Sequence, residues 1–142
     1  MLKGIDPVFG PELLAPLARM GHADQLAIVD LNYPAYSARQ PVVRIHGHSA
    51  PEFMTKLGTL LPVDDFVEHP ITYMRDPDHA DAPNEVQREF IDEAQRAEGR
   101  PLGAVALDRL AFYKRCTEVS VVVVTDEFRP YGCFLVAKGV VR

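Results

Sequence analysis

The chain has 142 residues, 47% hydrophobic and 25% charged, which is the composition of one compact domain (1–142) with a sizeable core rather than of a disordered segment. Its net charge is −5 and no Lys/Arg run is present to meet a phosphate backbone, so no nucleic-acid partner is expected. No apolar run approaches the roughly 20 residues that span a bilayer, and Asp6, Pro7 and Pro11 interrupt the N-terminal stretch. The expectation is therefore a cytoplasmic chain with no membrane partner, its Cys116 and Cys133 held as reduced core thiols.

Residues 11–20 place Leu13, Leu14 and Leu17 on one helical face, with Pro11 suited to the first turn, Pro16 in local conflict and Gly21 as a C-terminal cap. Gln25–Val29 reads as a short buried strand ending at Asp30, and Val42–Ile45 as a second. Ser49-Ala50-Pro51-Glu52 is a capping box that opens a helix to about Leu61. Ile71–Met74 is a weaker strand. Asn84 caps a charged helix to about Glu98, with Val86, Phe90, Ile91 and Ala94 as its apolar stripe. Gly103–Leu107 is a further strand, and Asp108–Cys116 a short helix with Leu110, Phe112 and Tyr113 partly buried. Ser120–Thr125 and Cys133–Ala137 are the last strands, joined through a turn with Pro130 and Gly132.

This alternation predicts an α/β fold, a three-layer helix–sheet–helix sandwich around a mostly parallel or mixed sheet. Ligands of such sheets collect at the carboxyl ends of the strands, where Asp30 and the Asp108–Arg109 segment fall. The segment Met20-Gly21-His22-Ala23-Asp24 sets a histidine at a helix exit, with carboxylates two and eight residues later. A histidine so placed either caps carbonyls or transfers protons near neutral pH. Spacing alone does not choose between Asp24 and Asp30 as its partner.

Several segments, in order and over nearly the whole chain, resemble the bacterial D-ribose pyranase and L-fucose mutarotase family. They are Met1-Leu2-Lys3, Pro11-Glu12-Leu13-Leu14, Met20-Gly21-His22, Asp30 with Tyr33-Pro34-Ala35, Arg109-Leu110-Ala111-Phe112-Tyr113, Tyr131-Gly132 and Lys138-Gly139-Val140. Arg109 aligns the chain with the fucose branch. The resemblance implies an isomerase that interconverts ring forms of a free monosaccharide, L-fucose or a related sugar, without cofactor or metal. It implies His22 as the proton donor and sugar contacts from Asp30, Arg109, Tyr131, Gly132 and Cys133; the residues themselves leave open Asp24 as a support for His22 or a turn cap, and Tyr113 as a supporting contact or a core aromatic. It also implies a homo-oligomer, a decamer in many members, with pockets near subunit boundaries.

The chemistry suits these residue types. Opening a cyclic hemiacetal removes the anomeric hydroxyl proton and protonates the ring oxygen, and acid–base groups accelerate such steps by roughly 10²–10⁴-fold. Three positions depart from the family pattern. Cys133 stands where asparagine is usual, and Asn32 and Tyr36 stand where the fucose branch has histidines. Because a thiol is a weak hydrogen bonder, Cys133 keeps open a second reading, a catalytically inactive monosaccharide-binding or transport-accessory protein. A third reading starts from His46-Gly47-His48, two histidines on one strand face, which would need a further ligand such as His69 or His79 to hold a metal.

Overall fold

The computed structural model describes residues 2–142. Its six strands are β1 (Gln25–Val29), β2 (Val42–Arg44), β3 (Ile71–Met74), β4 (Ala104–Leu107), β5 (Val122–Val124) and β6 (Phe134–Ala137). They form one mixed sheet in the order β2-β5-β1-β6-β3-β4. All strands run the same way except β6, which is antiparallel to both β1 and β3 near the centre of the sheet.

Period-2 alternation along these strands feeds two apolar layers. Leu26, Ile28, Val123, Phe134 and Val136 face one side, against α1 (Pro11–Arg19), α2 (Ala50–Leu57) and α3 (Glu85–Glu98). Ala27, Val29, Val122, Val124 and Leu135 face the other, against Phe112 of α4 (Arg109–Arg115) and Cys116. The helix–sheet–helix sandwich is thus the observed architecture, and its mixed sheet owes the mixture to one strand. At its centre Phe90 of α3 stacks on Phe134 of β6, centroids 3.7 Å apart and rings within 3° of parallel. Both side chains are fully buried.

Local signals set the helix ends. Ser49 and Glu52 close the capping box of α2, and Asn84 and Gln87 close that of α3, which stops at Gly99 in the left-handed region. The helix expected to reach Leu61 ends at Leu57. Gly58 there abuts Ala97 of α3 so closely that a Cβ would lie 2.3 Å from that methyl, and Pro62 prevents the chain from resuming the helix. The cap of α1 is Met20 rather than Gly21, and the helix runs on through Pro16. In α4, Phe112 is buried as expected, but Leu110 is exposed: seven residues offer one inward stripe, and Phe112 and Tyr113 fill it.

The Phe90–Phe134 stack joins the longest helix to the central strand. Phe134→Ala is expected to lower unfolding free energy by about 3–5 kcal/mol, read as a fall in the urea midpoint with an unchanged m-value.

Candidate active site

The reversed direction of β6 brings its first residue to the edge where the parallel strands end. At that edge a cavity of about 230 Å³ opens between Asp30 after β1, Met74 at the end of β3, Arg109 and Tyr113 on α4, and Tyr131 and Cys133 before β6. This is below the roughly 300–1,000 Å³ of sites for drug-sized ligands, so it suits a small polar molecule. Asn32 and Tyr33 complete the wall, whereas Tyr36 is largely exposed and lies outside it.

Arg109 has no ion-pair partner among the described residues. The neighbouring Asp108 is engaged by Arg75 instead (Nε to Oδ1, 2.8 Å), and Arg109 Cζ lies 5.8 Å from the Tyr113 ring centroid. Its donors are therefore available to a ligand, held in a fork that the tyrosine face steadies. Tyr131 has φ +61°, a left-handed conformation uncommon for an aromatic residue. Buried Gln87 holds it there, donating from Nε2 to Tyr131 O (2.9 Å) and to Met74 O (2.7 Å). Gly132 permits close approach, since a Cβ would meet Glu127 Cγ at 2.7 Å, and it is not among the residues lining the cavity.

Asp30 is buried, its Oδ1 accepting the Asn32 N–H (2.9 Å) and its Oδ2 the Cys133 thiol (3.3 Å). Burial pushes its carboxyl above the usual carboxylate value, and the Cys133 thiol with the Asn32 and Tyr33 N–H groups only partly offsets the effect. Burial also raises the Tyr33 phenol, whose hydroxyl faces the Cys116 thiol. Tyr33 packs edge-on against Phe112 and Tyr113, with centroids 6.0 and 5.4 Å away, and so stiffens the wall between α4 and the β1 loop.

His22 is not in this cavity. It precedes β1, whereas Asp30 follows it, and five strand residues at about 3.3 Å each separate the two ends by roughly 16 Å. Its Nε2 lies 2.9 Å from Oδ1 of Asp64, an almost fully buried carboxylate, and its ring packs tilted on exposed Phe66 at 4.6 Å. Neither carboxylate proposed from sequence touches it. Asp24 Oδ2 accepts the Gly21 N–H (2.7 Å) and closes a local turn, and Asp30 faces the opposite edge. Asp64, 42 residues away in sequence, escaped notice because nothing local connects it to His22. The backbone link is β6: Ala23 N–H donates to Lys138 O, and Val63 forms a bridge with Lys138, so both segments meet at the far end of that strand.

Burial pushes Asp64 up, but the Phe66 N–H and the His22 ring outweigh it and hold the carboxyl below its ordinary 3.8. The buried carboxylates at the two edges are thus driven in opposite directions. His46 and His48 lie beyond the end of β2 on either side of Gly47, whose φ is +79°, so they do not share a strand face. Among the described residues no three His, Cys, Asp or Glu side chains converge to hold a metal, and His79 pairs with Asp76 (3.1 Å).

The small, polar cavity at the carboxyl edge of a mixed α/β sheet defines a protein class that binds small ligands at strand ends. Residues 3–141 match the RbsD / FucU transport protein family, and the chain belongs to it. It is 34% identical over 140 residues to the L-fucose mutarotase of Histophilus somni, covering 99% of this chain and 97% of that one. Its fold matches FucU from Bifidobacterium longum with a TM-score of 0.89 and 32% identity, covering 99% and 100% of the two chains. It also matches the fucose mutarotase of Streptococcus pneumoniae, solved with L-fucose, at 0.88 and 29% over the same shares.

Because Asp64 has a depressed value in the folded state, it contributes stability that is present above the unfolded value of 3.8 and lost as pH falls through the lower folded one. Between about pH 5 and pH 3, the urea midpoint of the wild type is expected to fall more steeply than that of Asp64→Asn. Parallel slopes would show that the Asp64 charge is not stabilising.

Proposed function

We propose that this chain is a sugar mutarotase that interconverts the anomers of L-fucose or a closely related free monosaccharide, with the acid–base group of each pocket supplied by a neighbouring copy. The observation that carries the reading is the division of the machinery between the sheet's two edges. One edge holds a cavity with an acceptor (Asp30) and a cation without an ion-pair partner among the described residues (Arg109), and the other presents the His22–Asp64 pair. Similarity to L-fucose mutarotases over essentially the whole chain supports the substrate.

In the reaction, the anomeric hydroxyl proton leaves, the C1–O5 bond breaks and the ring oxygen takes up a proton. The open aldehyde then rotates about its C1–C2 bond and recloses on either face. Asp30 accepts from sugar hydroxyls, Arg109 donates to others, and Tyr131 closes the wall. His22, its Nε2 side engaged by Asp64, presents its other ring nitrogen as the proton carrier; both steps are proton transfers that such side chains perform.

A chain whose complementary parts lie on opposite edges assembles head to tail, and head-to-tail contacts that close make rings. Both edges carry exposed apolar side chains of the kind an interface covers: Leu31, Leu110 and Phe128 around the cavity, and Phe66, Val67 and Val141 around His22. The proposed assembly is a homo-oligomeric ring, with a decamer as two such rings.

Exchange NMR on L-fucose tests the reading. The wild type is expected to accelerate anomeric exchange, and His22→Ala and Arg109→Ala are each expected to lose about 10²-fold or more of that acceleration. Unfolding and reassembling the two inactive variants together in equal amounts should recover about a quarter of wild-type activity, the fraction of interfaces joining an intact pocket to an intact histidine. No recovery would refute sharing between copies, and sugar binding without exchange would favour an inactive binding protein.

A further inference from the structure

Asp30 is the one carboxylate among the residues lining the cavity; the Asn32 N–H donates to its Oδ1 and the Cys133 thiol to its Oδ2. The Asn32 N–H is a local turn contact two residues away. The Cys133 thiol arrives from another strand, 103 residues along the chain, and its position is over-determined. The Cys133 carbonyl accepts the Met74 N–H (3.0 Å), and strand alternation sends Phe134 to the opposite layer, so the Cys133 side chain faces Asp30. The thiol is buried at the floor of the cavity. Burial, then the neighbouring Asp30 charge, pushes the thiol well above its ordinary value, so it remains protonated and a donor.

An ionised carboxylate offers about four lone-pair positions. With the Asn32 N–H on one oxygen and the Cys133 thiol on the other, the carboxylate keeps acceptor capacity for a ligand in the cavity it lines. We propose that Cys133 is a positioning residue: its thiol holds Asp30 ionised and oriented, so that one carboxylate accepts from two hydroxyls of the sugar at once. The inference rests on the mutarotase reading for its substrate, but the thiol–carboxylate pair stands on geometry alone.

The other charges around Asp30 are accounted for. Glu127, after β5, opposes its ionisation, but Arg129 engages both oxygens of Glu127 (Nε–Oε2 and Nη2–Oε1, 3.0 Å each). Arg109 and Tyr113 face it from α4, Tyr33 from its own loop and Tyr131 from the turn before β6. In the proposed ring His22 of a second copy would join them.

The test is a ¹³C NMR titration of aspartate-labelled full-length protein, with the Asp30 signal assigned by its loss in Asp30→Asn, run beside the pH profile of L-fucose exchange. Cys133→Ala removes the donor and is expected to raise the Asp30 midpoint by about half a unit or more, carrying the acid limb of kcat with it. Cys133→Ser restores a hydroxyl donor and is expected to titrate at or below the wild-type midpoint. An unchanged midpoint in Cys133→Ala, or one raised in Cys133→Ser, overturns the inference. If the wild type proves inert on sugars, the reaction assignment falls, while the titration still decides whether the thiol holds Asp30.

Discussion

The insertion of β6 against the direction of its neighbours organises this molecule. A parallel strand in that place would begin at the edge opposite the cavity and could not deliver Tyr131 and Cys133 beside Asp30. Running the other way, β6 starts at the carboxyl edge and ends beside His22, so a single short strand touches both the cavity and the His22–Asp64 pair. It also ties the two layers together, with Phe134 and Val136 on one face and Leu135 on the other. The stack of Phe90 on Phe134 joins that strand to α3, and Gln87 on the same helix fixes the turn that presents Tyr131.

Polar groups are buried where they hold the site's backbone. Gln87 spends its amide on the carbonyls of Met74 and Tyr131 and on the Asn84 N–H, and Asn84 in turn reaches Asp76 and Pro130 O. A buried amide with every bond made is inexpensive, whereas any break leaves an unpaired group in a dry interior. This satisfied network holds a non-glycine residue at positive φ next to the cavity.

The two edges are chemically unlike. Around the cavity, burial raises the Asp30 carboxyl against a few donors; around His22, an N–H and a ring nitrogen lower the Asp64 carboxyl despite its burial. In the proposed mechanism, environments that push titratable groups apart in this way separate the accepting role from the proton-carrying one. The proposed sharing of the site between copies follows from their separation by the length of β1.

Much of this was legible in the sequence, because the deciding forces were local. The capping boxes at Ser49 and Asn84, the apolar stripe of α3 and the valine run 121–124 that contains β5 each specify an element through neighbours a few residues away. Asp30 and Arg109 were likewise readable as strand-end residues and Tyr131 as a turn residue, whereas Tyr113 was read as a partly buried helix residue and Cys133 entered through the family resemblance; the fold brings all five to one cavity. The sequence alone did not show Asp64 as the partner of His22, the exposure of Leu110, the early end of α2 at Gly58 or the distance of His22 from the cavity. Those outcomes depend on which strand lies beside which and in what direction. Direction in a sheet is settled by packing between segments far apart in the chain, a constraint that no window of neighbouring residues contains.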